Sequence, residues 1–272
     1  MTRVCLSFVN SEREADPIWI LNQQDLLTLN QMDNTMTASP TSSQIISLQD
    51  IRYAWTSDAP DTLNISEFTV SQKERIFIKG PSGCGKSTLL GLLTGILTPQ
   101  HGSISILGET VSSLSQGQRD RFRADHIGYI FQQFNLLPYL SVIDNVLLPC
   151  QFSSIRKNNV KQSLEQEAKH LLERLHLPKD KIHTPVIDLS IGQQQRVAAA
   201  RALIGHPELL IADEPTSALD HDNRAAFIEL LMEEATQANT TLVFVSHDPT
   251  LESFFDRTID LPNINQALGG DR

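Results

Sequence analysis

Gly80-Pro81-Ser82-Gly83-Cys84-Gly85-Lys86-Ser87-Thr88 follows the run Arg75-Ile76-Phe77-Ile78-Lys79 and precedes Leu89-Leu90-Gly91-Leu92-Leu93. A β-type run, a G-x-x-x-x-G-K-S/T loop and a helical run, in that order, form the setting that a triphosphate-binding loop requires. The glycines let the backbone wrap the phosphates with its N–H groups turned inward. The helix that begins near Lys86 adds its positive dipole end. Lys86 is placed to reach the β- and γ-phosphates, and the Ser87 hydroxyl to ligate Mg2+. Cys84 fills a variable position of the loop. It reads either as a small space-filler or as a thiol activated by the helix start and Lys86.

Leu209-Leu210-Ile211-Ala212-Asp213-Glu214 is an apolar strand that ends in two carboxylates. Beside a phosphate loop, Asp213 suits the Mg2+ shell and Glu214 suits polarisation of the attacking water. A further apolar run, Leu242–Val245, ends at Ser246-His247-Asp248. His247 is either a polar turn residue or a γ-phosphate sensor whose neutral imidazole hydrogen-bonds the phosphate or the water.

Outward from these motifs, β-type runs stand at Ile45–Leu48, Ile65–Val70, Arg75–Lys79 and Ser103–Leu107. Gly128–Phe131, Leu209–Asp213 and Thr241–Ser246 are near-continuously apolar, as buried parallel strands are. Helical periodicity covers Ser87–Ile96, Val160–Leu177, Gln194–Ile204 and Asn223–Ala238. The alternation predicts an α/β domain with a parallel sheet. Helices without strands over about 140–205 predict an inserted helical subdomain. Residues 1–43 are rich in Asn, Gln, Ser and Thr, which predicts a flexible extension ahead of a domain spanning 44–272. A short helix formed by Pro17–Leu21 and Leu26-Leu27, or a start at Met32 or Met36, are alternatives there.

The 272 residues are 40% hydrophobic and 20% charged, which suits a globular chain with a sizeable core. Lys plus Arg is 22 against 32 Asp plus Glu, a net charge of −10. That balance gives no electrostatic reason for binding nucleic acid or an anionic membrane. Cys5, Cys84 and Cys150 are too few and scattered for a disulfide framework or zinc site. The most apolar stretch, Val197–Ala212, is broken by Arg201, His206 and Glu208, and the N-terminus carries no secretory signal. If the protein acts at a membrane, another chain has to span it.

Leu189-Ser190-Ile191-Gly192-Gln193-Gln194-Gln195-Arg196-Val197, just ahead of the acidic strand, resembles the signature motif of ABC ATPases. The resemblance runs from about Ile45 to Leu268. It implies a P-loop NTPase with a parallel-sheet core, an antiparallel β subdomain and the inserted α-helical subdomain. It implies that Trp55, with Tyr53 as the alternative, stacks on adenine and that Gln132 contacts Mg2+ and the attacking water. Ser217 to Asp220 correspond to the D-loop, His247 to the switch histidine. Ser190, Gly192 and Gln193 of one copy would meet the nucleotide of a second, so that two ATP molecules join a homodimer head to tail.

Two positions depart from the pattern. Ile191 stands where the family usually has Gly; its peptide still supplies a donor if its φ stays negative. Lys73 stands where Gly is common in the turn before Arg75, a difference expected to be harmless.

Ile130-Phe131-Gln132-Gln133-Phe134-Asn135-Leu136-Leu137-Pro138 is similar to the branch holding lipoprotein-releasing, macrolide-exporting and cell-division ATPases. That likeness implies a permease with few membrane helices and a large extracytoplasmic domain. It implies a peripheral place on the cytoplasmic face of a bacterial inner membrane. Phe134, Leu136, Leu137 and Tyr139 are candidates either for docking that permease or for core packing. About 25 residues after His247 leave no room for a C-terminal regulatory domain. The alternative is a soluble ABC ATPase without a transport role.

Overall fold

Side chains in the central strands sort alternately between two apolar cores, and this sorting decides the architecture. The computed structural model describes residues 44–217 and 221–268. The chain enters as β1 (Gln44–Tyr53), β2 (Leu63–Ser71) and β3 (Arg75–Lys79), then α1 (Lys86–Leu93). β4 (His101–Ile106), β5 (Glu109–Thr110), α2 (Gln116–His126) and β6 (Ile127–Ile130) follow. Next come α3 (Val142–Phe152), α4 (Ser154–Asn159), α5 (Leu164–Arg174) and α6 (Ile191–Leu203). β7 (Leu209–Asp213), α7 (His221–Gln237), β8 (Thr241–Val245), β9 (Arg257–Asp260) and α8 (Leu261–Ile264) complete the order.

In β3, Phe77 joins one core while Ile76 and Ile78 join the other. β7 divides Leu210 and Ala212 from Leu209 and Ile211, and β8 divides Leu242 and Phe244 from Val243 and Val245. Strands buried on both faces belong to a sheet covered on both sides. That sheet is five-stranded and parallel, ordered β6-β7-β8-β3-β9. One face carries α1 and the inner residues of a four-stranded antiparallel sheet, ordered β2-β1-β4-β5. The other carries α3, α5, α6 and α7. Phe77 and Phe244 pack there as a stacked pair at 6.0 Å between ring centroids. Fully burying one such ring contributes roughly 1.5–3 kcal/mol.

Residues 142–203 hold four α-helices, two short 3-10 helices and no strand. Serines set where they begin. Ser141, Ser153, Ser163 and Ser190 each accept a hydrogen bond from a first-turn backbone N–H, satisfying a donor the helix would otherwise leave open. The Ser163 cap starts α5 at Leu164 rather than Val160, and the Ser190 cap starts α6 at Ile191 rather than Gln194. Phe134 is core, not docking surface: it is 6% exposed, whereas Tyr139 is 77% exposed. Residues 1–43, with the Pro17–Leu21 helix expected there, lie outside the described residues, as does Asp220.

Lys73 does sit in the left-handed region, φ 65°. A lysine there is strained where glycine would not be. Its N–H donates to Thr241 Oγ1 at 2.8 Å, which ties the turn to the start of β8.

Candidate active site

Ile78, Val245 and Asp213 are level across three neighbouring strands, so the loops that follow β3, β8 and β7 leave the sheet at one edge. The carboxyl edge of a parallel sheet is where α/β proteins bind ligands. A cleft of about 450 Å3 opens there, lined by Trp55, Thr62, the phosphate loop at Ser82, Gly83 and Gly85 to Thr88, Gln132, Asp213 and Glu214. A volume of this order suits a nucleotide.

The loop is shaped for close backbone approach. Gly83 and Gly85 adopt φ 83° and 102°, and a Cβ on Gly85 would come within 2.7 Å of Leu63 Cδ2. A Cβ on Gly83 would meet nothing, so that side of the cradle is open. Lys86 Nζ donates to the carbonyls of Gly80 at 2.7 Å and Pro81 at 3.1 Å, which keeps the ammonium inside the loop. Ser87 is exposed at the helix start. Cys84 is 3% exposed, and its Sγ packs under Gly80. A side chain buried there fills the space under the loop.

Asp213 is half-buried, and burial, then the neighbouring Glu214, raises its carboxyl above the usual range. Tyr129 OH donates to Asp213 Oδ2 at 3.4 Å. Glu214 takes a left-handed backbone, φ 43°, with its N–H donating to Val245 O at 2.9 Å. His247 is exposed, with Nδ1 3.5 Å from Glu214 Oε2. Trp55 is 62% exposed, whereas Tyr53 is buried edge-on beneath it, ring centroids 5.5 Å apart. Of the two, Trp55 alone offers a free aromatic face.

Ser190, Gly192 and Gln193 do not line this cleft. They open α6, where Ser190 and Gln193 cap each other: Gln193 N–H donates to Ser190 Oγ at 3.3 Å and Ser190 N–H to Gln193 Oε1 at 3.0 Å. Ile191 is the first helical residue, 54% exposed, and is not among the residues with positive φ. Its peptide and that of Gly192 stand at a helix start, a setting that attracts anions. Thr62, Tyr129 and the buried Gln195, whose Nε2 donates to Pro215 O at 3.0 Å, were not singled out from sequence. Gln195 lies within the signature stretch, but nothing in its spacing points to the Pro215 carbonyl.

Mg2+ takes hard oxygen donors and needs few from protein when phosphates supply the rest. The Ser87 hydroxyl and the Asp213 carboxylate line one cleft with Lys86, so the donor set fits a magnesium-triphosphate.

A phosphate loop, an acidic strand end and a histidine on one sheet edge define a P-loop nucleoside triphosphatase. Residues 63–217 match the family model described as "ABC transporter". The Escherichia coli YbbA protein, described as an uncharacterized ABC transporter ATP-binding protein, is 39% identical over 197 residues, 72% of this chain and 84% of that one. The Hydrogenovibrio crunogenus lipoprotein-releasing system ATP-binding protein LolD is 38% identical over 195 residues, 72% of this chain and 83% of that one. A dimeric structure of the ATP-binding cassette MJ0796 bound to ADP and Pi superposes with a TM-score of 0.70. It is 30% identical, covering 82% of this chain and 95% of that one.

This chain belongs to the ABC transporter ATP-binding family: it is an ATP-binding, ATP-hydrolysing subunit. Membership carries ATP and Mg2+ binding with it. No helix among the described residues is long and apolar enough to cross a membrane.

Proposed function

We propose that the chain works as an ATP-joined homodimer that drives a separate permease, each copy completing the other's site. The observation that carries this is the placement of Ser190 and Gly192. Ser190 is exposed and Gly192 partly exposed at a capped helix start, and neither lines its own chain's cleft. A second copy, facing the first, would bring them to the γ-phosphate. The relative MJ0796 was solved as a dimer, which supports the arrangement.

Within one copy, Trp55 takes the adenine, and the loop amides, Lys86 and Thr88 take the phosphates. Bound Mg2+, held by Ser87, Gln132 and Asp213, would cancel charge on the phosphate oxygens. Glu214 accepts a proton from the attacking water, and His247 hydrogen-bonds the γ-phosphate or that water. The rate comes from positioning and charge cancellation. Loss of the γ-phosphate removes the contacts between the two copies, and the dimer opens. Asp220 belongs to the segment that would meet the partner copy.

The permease reading rests on a largely apolar cavity of about 310 Å3 in which Phe131, Leu148, Pro149 and Phe152 stand beside the charged Asp120, Arg123, Arg156 and Arg201, with Phe152 65% exposed. Similarity to LolD supports the lipoprotein-releasing branch, a few-helix permease with a large outer domain, and a peripheral place on the inner face of a bacterial membrane. Tagged Glu214→Gln protein purified from native membranes with ATP tests it. Co-purification of such a permease is expected. Recovery of soluble partners only would favour an ABC ATPase without a transport role.

A further inference from the structure

We propose that Arg201 is a positioning residue for Gln132: its guanidinium fixes the turn after Gln132 and so sets where that glutamine stands. Phe134 and Asn135 lie in succession in the left-handed region, at φ 59° and 47°. Neither is glycine, and L side chains rarely hold that conformation. Such a turn needs outside restraint. Arg201 Nη1 donates to Asn135 O at 2.7 Å, and Nη2 donates to Phe134 O. The Phe134 ring is anchored in the core below.

Arg201 is only 8% exposed, and no carboxylate pairs with it among the described residues. Burial lowers its pKa to about 10, so it remains charged near neutrality. A buried guanidinium committed to two carbonyls of one turn is costly compared with an apolar side chain of similar volume. That cost makes sense where the shape of the turn matters.

Arg201 also borders a second feature of the molecule. It lies on α6, the helix that opens with Ser190, and it borders the largely apolar cavity of Phe131, Leu148 and Phe152. It therefore stands between that cavity and the Gln132 turn.

The inference rests on the role proposed above for Gln132, and a double-mutant cycle on the full chain separates the two. Wild type, Gln132→Ala, Arg201→Gln and the double variant are compared in ATP turnover and in ATP affinity. Arg201→Gln is expected to lower kcat about tenfold or more with affinity within about twofold. The double variant should be no slower than Gln132→Ala, because coupled residues are not additive. Where Arg201→Gln does not fold, Arg201→Lys, which keeps the charge and one donor, carries the same cycle. Multiplicative losses, or wild-type turnover in the Arg201 variant, overturn the proposal. Wild-type turnover in Gln132→Ala overturns the role of Gln132, and this proposal with it.

Discussion

His247 Nδ1 lies 3.5 Å from Glu214 Oε2, across the gap between the ends of two neighbouring strands. The strands bring them together: Asp213 pairs with Val245 in register, so the residues just beyond each share one edge. Glu214 holds a left-handed backbone at φ 43°. For a non-glycine residue this conformation costs about 1–3 kcal/mol and persists where surrounding structure enforces it, often at functional sites.

The histidine is exposed and contributes little to packing. His247→Ala is therefore expected to leave the melting temperature within about 1 °C and ATP affinity within about threefold. Turnover should fall roughly 10–100-fold, the usual span for losing a group that handles a proton or its phosphate partner. Steady-state kinetics with a thermal melt check this. Unchanged turnover would place His247 as a polar turn residue.

Asp213 is half-buried beside Glu214, a disfavoured place for a charge. In protein free of nucleotide and metal, Asp213→Asn should raise the melting temperature by roughly 2–4 °C, the effect of about 1 kcal/mol in a domain of this size. The same variant should lose Mg2+-dependent hydrolysis. A variant less stable than wild type would show that the carboxylate is held by more than the Tyr129 hydroxyl.

His126 ends α2 and sits 3.1 Å from Glu208. The hydrogen bond to Glu208, then the charges of Glu208 and Asp125, raise the imidazole above its ordinary value against the opposing effect of burial. The stabilisation is therefore whole below about pH 6.5, the unfolded value, and is lost as the pH climbs through the raised one. Urea midpoints at about pH 6 and pH 8.5 should fall further in wild type than in His126→Gln. Equal falls would mean the pair is not coupled to folding.

Cys84 is buried under Gly80, so a thiol reagent should modify it slowly in the native protein and rapidly once urea unfolds the chain. Cys84→Ser should keep turnover within about twofold. Fast native labelling blocked by ATP would contradict the space-filling role.

The sheet was legible because its strands carry one strong signal. β3 and β7 match their expected limits, since uninterrupted apolar runs bounded by charge admit one reading. α2, by contrast, reads Gln-Gly-Gln-Arg-Asp-Arg-Phe-Arg-Ala-Asp-His, with no apolar stripe to set a period. Its one usable signal was the Ser115–Gln118 capping box. α3 was missed because Pro149 lies inside it, although Ser141 ahead of Asp144 marks its start. β9 is four half-buried residues whose place comes from pairing with β3.

At the site, the glycine loop and the carboxylate pair were readable because phosphate chemistry dictates residue types at fixed spacing. Arg201 and Gln195 were not. Their roles arise from long-range contacts between α6 and the loops after β6 and β7, which no local spacing encodes.

On the proposed mechanism, nucleotide joins two copies of this chain and hydrolysis separates them. Glu214→Gln, sized by light scattering with saturating ATP and Mg2+, tests it most directly. A stable dimer that reverts to monomer when ATP is withdrawn is expected, with hydrolysis reduced at least about 100-fold. A monomer that binds ATP tightly under those conditions would contradict it.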